Sequence, residues 1–351
     1  GISIGAINAA IIAGNEREQR LPRLKAFWET VSRPPMVDTN VFGPWGALMN
    51  AAATMVLGQP NFFKPRLVSP LFAHGPQSAT SFYDTAPLHE TLLRFVDFDR
   101  INAKKTRIAL GAVKIKTGEL VFFDNFKQTI GPQHVIASGS LPPGFPPTRI
   151  GGELYWDGGC VSNTPLDAVL DAEPKTDSLV FVVDVIDAIG PEPNTLDLTF
   201  ARESAIRYAS RSVHHIEHEV LAHNLRVRLG KALAHLPEDI KREPQIQDLL
   251  DEVSDHAVHI VHIVQKPLKT DTSAASSDFA RPTIAARTTS GYRDMLAAIA
   301  HSPWTASGGE QAAHVHHFRR GIHRPKATPK ARRRRNADHV APMPAETIGS
   351  N

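Results

Sequence analysis

Residues 1–13 read Gly1-Ile2-Ser3-Ile4-Gly5-Ala6-Ile7-Asn8-Ala9-Ala10-Ile11-Ile12-Ala13, a G-x-S-x-G pattern running directly into small apolar residues. A serine held on a tight strand-to-helix turn needs glycine on both sides, because the backbone is strained and neighbouring elements pass close. The following helix, expected over 4–13 and ended by Gly14-Asn15, aims the positive end of its dipole at Ser3 and favours anionic character there. Taken alone, the pattern also fits a glycine-rich turn with a capping serine.

Working outward, residues 153–157 (ELYWD) predict a strand that stops at Asp157-Gly158-Gly159, followed by Ser162-Asn163-Thr164-Pro165. A carboxylate at the C-terminal edge of a strand, beside glycines, can approach another turn and take a proton from a hydroxyl. Alone it reads as an ordinary Asp-Gly turn. Between the two motifs, helices are expected over 21–31 and over 85–96 with Thr85 as cap, and strands over 106–115 and 119–124. A helix over 165–172 and a valine-rich strand over 179–185, expected to be buried on both faces, follow. This alternation selects the α/β class. After the Pro/Gly break at 190–193 come a long charged helix (195–235), a second helix (245–253), a strand (257–265), a loop-like stretch (267–289) and a last helix (290–301). The expected organisation is an α/β domain over 1–192, a mainly helical domain over 193–304 and a disordered basic tail over 305–351.

The 351 residues are 42% hydrophobic and 21% charged, a globular mix that excludes a wholly disordered, collagen-like or disulfide-stapled chain. The single cysteine, Cys160, excludes an intrachain disulfide and a multi-cysteine zinc site, and its default reading is a small buried residue. No apolar run reaches 18 residues, so no transmembrane helix is expected. The segment from Thr305 on carries nine Lys or Arg against three Asp or Glu, a net +6, which leaves 1–304 at −3. The expected location is cytoplasmic or peripheral to a membrane; the opening residue is Gly1, not Met, so an upstream signal peptide stays open.

Between the two motifs lies Ala137-Ser138-Gly139-Ser140-Leu141-Pro142-Pro143-Gly144-Phe145-Pro146-Pro147. The ordered set of G-x-S-x-G, this segment, and D-G-G with N-T-P resembles the patatin-like phospholipases over roughly residues 1–190. Segments 81–102 and 179–302 resemble bacterial members with a C-terminal domain of unknown function. The resemblance implies a three-layer α/β/α sandwich and a lipid acyl hydrolase, of phospholipase A or carboxylesterase type, using a Ser–Asp dyad without histidine, metal or organic cofactor. It makes Ser3 the nucleophile and Asp157 its partner, with Gly1, Gly5, Gly158 and Gly159 shaping the two turns. Asp157 then accepts the Ser3 proton, and water resolves an acyl-enzyme. The family also places a G-G-G-x-R-G oxyanion loop upstream of the nucleophile. No residue here fills that role, so the first strand, its helix and the strand into the turn are expected to be missing. Turnover by the chain as given is expected to be negligible, since losing one oxyanion donor already removes ~10²–10³ of rate. The alternative from another class is a non-catalytic patatin-like scaffold whose C-terminal domain binds a partner.

Other residues invite further readings. His218-Glu219-Val220-Leu221-Ala222-His223 is one residue too long for the metalloprotease motif. His214 and His218, at i and i+4, could share a metal, but a solvated helix face explains them as well. His256, His259 and His262 alternate across a strand and read as structural. A Ser–His–Asp triad through His214, His215 or His218 is the mechanistic alternative to the dyad. Residues 41–75, with Phe42, Trp45, Phe62, Phe63, Lys64 and Arg66, read as a helix capping the core or as a surface for anionic lipid. Lys326, Lys330 and Arg332–Arg335 could touch an anionic membrane or simply solubilise the chain. Trp304 and Phe318 are too sparse for a base-stacking platform, so no specific nucleic-acid partner is expected. The oligomeric state is left open.

Overall fold

The computed structural model describes residues 1–66, 80–162, 164–171, 175–305, 312–319 and 322–325. The expected tail contacts at Lys326, Lys330 and Arg332–Arg335, Asn163 and the end of the 41–75 segment lie outside these residues.

The chain opens with helices α1 (Ile4–Ala13), α2 (Arg17–Val31) and α3 (Thr39–Leu57), the last kinked at Gly43-Pro44, where Gly43 has φ +53°. A two-residue ladder, β1 (Lys64–Pro65) with β2 (Tyr83–Asp84), precedes α4 (Ala86–Phe95) and α5 (Phe98–Asn102). Thr85 is the cap residue of α4, but its side chain makes no capping hydrogen bond. Then come β3 (Ala109–Lys114), β4 (Glu119–Asp124), α6 (Pro132–Ser138), β5 (Thr148–Ile150), β6 (Glu153–Asp157), α7 (Asp167–Leu170) and β7 (Ser178–Asp184). The remainder holds α8 (Leu196–Leu233), α9 (Glu238–Lys241), α10 (Pro244–Glu252), β8 (Val258–Val264), α11 (Arg281–His301), β9 (Ala313–Arg319) and β10 (Ile322–Pro325). The chain is thus α/β, with a largely helical C-terminal part.

One four-stranded sheet has the order β4-β3-β6-β5, all neighbours antiparallel. Leu110, Ala112 and Phe123 face a core supplied by Ile7 and Ile11 of α1, Phe27 of α2, Leu92 of α4 and Val135 of α6. The small residues of α1 make this possible: Ala6 and Ala10 are fully buried and let the helix lie close to the sheet.

The second sheet has the order β10-β9-β8-β7, with β7, β8 and β9 parallel. Val258 and Ile260 pack with Ile216 and Val220 of α8 on one face. Val261, Ile263 and Phe318 pack with Met295 and Ala298 of α11 on the other. Here the α/β/α layering is complete, and β8, covered on both sides and both edges, is buried nearly throughout.

Four sequence expectations change. The strand buried on both faces is β8; β7 is an edge strand, and Leu179, Phe181 and Val183 on one of its faces are 39–65% exposed. The last helix begins at Arg281, nine residues before expected, because Pro282 sits in its first turn, where no amide donor is required. The expected tail over 305–351 is not wholly disordered: residues 313–319 form β9, with Ala313 and Phe318 each 1% exposed. Cys160 is exposed rather than buried. One sheet draws β7, β8 and β9 from the three segments divided at 192 and 304, so those borders do not separate independent layers.

Candidate active site

Ser3 sits between a strand-like entry and α1. Its backbone has φ +53° and ψ −123°, a conformation strained for a residue with a side chain. Ile2 bridges Gly111 of β3 in parallel, and the Gly111 amide donates to the Gly1 carbonyl at 3.0 Å. Along β3 one edge is taken over its whole length by β4. The other edge is shared: Gly1-Ile2 runs beside 109–111 and β6 beside 112–114, in opposite directions. Their C-terminal ends therefore meet head-on, and this brings Ser3 and Asp157 together. The Ser3 side chain lies close enough to the Asp157 carboxylate to favour its charged form.

Close approach at this junction needs bare backbone. A Cβ on Gly1 would lie 2.4 Å from the Gly5 carbonyl oxygen, and one on Gly158 2.7 Å from the Gly111 carbonyl oxygen. Gly5 differs from expectation, since an added Cβ there meets no neighbour within 4 Å.

Asp157 is 2% exposed. Burial pushes its carboxyl up to about 6, opposed by the Ser3 side chain and by the hydrogen bond from the Gly159 amide, the latter 2.8 Å long. A carboxylate that titrates near neutrality and lies beside a hydroxyl is suited to accept its proton. Although Cys160 is exposed as a residue, partial desolvation of its thiol and then the Asp157 charge push it up, so the thiolate is disfavoured beside this site.

Residues 138–140 hold the pair in place, a role not read from the sequence although Ala137–Ser140 stood among its motifs. The Ser3 amide donates to the Ser138 carbonyl at 3.0 Å, and the Ser138 hydroxyl to the Gly111 carbonyl at 2.6 Å. The Asp157 amide donates to the Ser140 carbonyl at 3.0 Å. A polar pair flanking an α6 C-terminus was the available signal.

Two of the three histidines proposed for a triad, His215 and His218, are engaged elsewhere. His215 Nε2 lies 2.7 Å from Asp167 Oδ1, and His218, 76% exposed, lies beside Glu219. His223 approaches the His256 carbonyl at 3.0 Å. His259 and His262 project to opposite faces of β8, meeting His316 and His317 respectively.

Residues 1–170 match the family model described as patatin-like phospholipase, and residues 206–311 match one described as patatin phospholipase. The chain belongs to the patatin-like phospholipase family. No curated protein matches it. Membership in a patatin-like family supports lipid acyl hydrolysis as its general activity. Among the described residues of this patatin-like chain, no helix is long and apolar enough to cross a membrane.

The surface over 41–66 divides between the two readings made of it. Phe62 and Phe63 join Tyr83 and Phe145 in an aromatic cluster, with ring centroids 4.7–6.2 Å apart, which ties the segment after α3 to the one that follows Ser140. Phe42 and Trp45 are 56% and 65% exposed. Helix α3 thus packs through Gly46, Ala47, Ala51 and Thr54 and turns its large apolar side chains outward.

Proposed function

We propose that this protein is a lipid acyl hydrolase of phospholipase A or carboxylesterase type that uses Ser3 as nucleophile and Asp157 as its base. The observation that carries the reading is the meeting of a strained Ser3 at a helix N-terminus with a buried carboxylate shifted towards neutrality. Asp157 takes the hydroxyl proton as Ser3 Oγ attacks the ester carbonyl carbon. The proton then passes to the departing alcohol, leaving a serine ester. Water, losing a proton to the same carboxylate, releases the fatty acid. The dipole of α1 favours the anionic character that develops at Ser3. No histidine, metal or organic cofactor enters these steps.

Lipid as the substrate class is supported by α3, whose stretch from Thr39 to Leu57 holds no charged residue and exposes Phe42, Trp45, Val41 and Val56. Such a face partitions into the headgroup boundary of an aggregate. The competing scaffold reading leaves the strained serine and its buried carboxylate without a use.

The test is hydrolysis of phospholipid vesicles by the natural full-length protein. Ser3→Ala and Asp157→Asn are expected to reduce turnover at least 10³-fold. The combined replacement of His214, His215 and His218 by Gln leaves it within about threefold. Loss of turnover in the histidine variant would instead support a triad, and survival in Ser3→Ala would exclude Ser3 as nucleophile.

A further inference from the structure

Away from the Ser3–Asp157 pair, Asp167 at the start of α7 meets His215 and Glu219 of α8, one ligand-type atom of each lying within 4.8 Å of the others. His215 and Glu219 are i and i+4 on one helix and therefore project from the same side. We propose that these three side chains form a binding site for a borderline divalent cation of the zinc type, which clips α7 to α8.

Two observations separate this cluster from an ordinary surface ion pair. The first is the donor set: one imidazole nitrogen and two carboxylates, a combination that zinc accepts and that calcium and magnesium, which take oxygen ligands, do not favour. The second is the state of the facing atoms. His215 Nε2 and Asp167 Oδ1 are 2.7 Å apart and both inaccessible to solvent, yet they make no directed hydrogen bond. The same two atoms would take a cation in place of the imidazole proton, which binding would release. Ligands bound at ~2.1 Å with angles of 90–109° stand ~3.0–3.4 Å apart, so the 2.7 Å His215–Asp167 pair would open slightly on binding, and all three atoms already lie within 4.8 Å.

The surroundings fix the ligands in advance. Leu166, directly before Asp167, and Ile216, directly after His215, are buried together in the apolar contact between α7, α8 and β8. Glu219 is 16% exposed in its side chain, whereas His218, its neighbour on the helix, is 76% exposed. Of the string from His218 to His223, only Glu219 belongs to the site; its two histidines do not. The chain between Asp157 and Asp167 is short, so a cation held here would also restrain the segment that follows the active-site turn.

The experiment is a calorimetric titration of EDTA-treated full-length protein with Zn²⁺, followed by thermal melting with and without the ion. One site is expected, with affinity at least tenfold weaker in Asp167→Asn and in His215→Gln and within twofold of wild type in His218→Gln and His259→Gln. Zn²⁺ should raise Tm in wild type and in the two controls, and not in the first two variants. Mg²⁺ should neither bind nor shift Tm at the same concentration. Circular dichroism checks that each variant folds; should His215→Gln not fold, Asp167→Asn carries the comparison. Absence of stoichiometric Zn²⁺ binding overturns the proposal, as does equal affinity in Asp167→Asn or loss of binding in His259→Gln alone.

Discussion

At the scale of single residues, Asp157 links stability to activity. Its carboxyl is raised to about 6 from an unfolded value of 3.8 by burial. The folded state therefore holds the proton more tightly, and the stability this gives is full below pH ~4 and is lost as pH rises through 6. Asp157→Asn should thus be the more stable protein at pH 8, by up to about 3 kcal/mol, and equal to wild type near pH 3.5. Denaturant melts at the two pH values check this; a variant less stable than wild type at pH 8 would mean that its hydrogen bonds outweigh the buried charge. The same carboxylate must be ionised to act as base, so kcat/KM should rise with pH and reach half its plateau near 6. Gly158→Ala places a methyl group 2.7 Å from the Gly111 carbonyl oxygen, which must force the turn apart. A loss of about 1–3 kcal/mol is expected, with a larger fall in turnover than in the affinity for substrate. Ser3, Asp157 and the glycines around them are legible in the sequence because strained turns admit few residue types. Ser138 and Ser140 are not, since they act mainly through backbone carbonyls that any residue provides.

At the scale of elements, periodicity locates α1, β4 and β6 to the residue, α10 and β8 to within one at either end and α8 to within two. It fails where an element's surroundings decide. Valine-rich β7 reads as doubly buried, but it lies at the sheet edge, whereas β8 has helices on both faces and strands on both edges. Helix α3 carries a buried small-residue side and an exposed side of bulky residues, the reverse of the usual assignment of large side chains to the core. Replacing Phe42 and Trp45 by Ser is therefore expected to change stability by no more than about 0.5 kcal/mol each. The same pair of changes should lower partition onto phosphatidylglycerol vesicles at least tenfold in a sedimentation assay. A fall in Tm of many degrees would show that these side chains pack inward.

For the whole molecule, the second sheet joins regions far apart in sequence, as does the backbone contact of Arg33 with Phe279 and Arg281. Composition averages conceal this: the basic, proline-containing segment from 305 onward includes the seven residues of β9. Phe318→Ala, at a position 1% exposed between β9 and α11, is expected to lose about 3–5 kcal/mol and to broaden the unfolding of the C-terminal part. An unchanged melting curve would restore the view of this segment as a tail. The α/β class follows from alternating elements, and the family from the ordered motifs. The way one strand edge of β3 receives two opposed strand ends does not, because register is set by tertiary contact.

The most direct test of the account is covalent labelling of the natural full-length protein by a fluorophosphonate, with the modified residue mapped by mass spectrometry and the rate followed from pH 4.5 to 8. A single label on Ser3 is expected, with a rate that falls by half as pH drops to about 6 and loss of labelling in Asp157→Asn. A label on another residue, or labelling of Ser3 that is indifferent to Asp157→Asn, would contradict it.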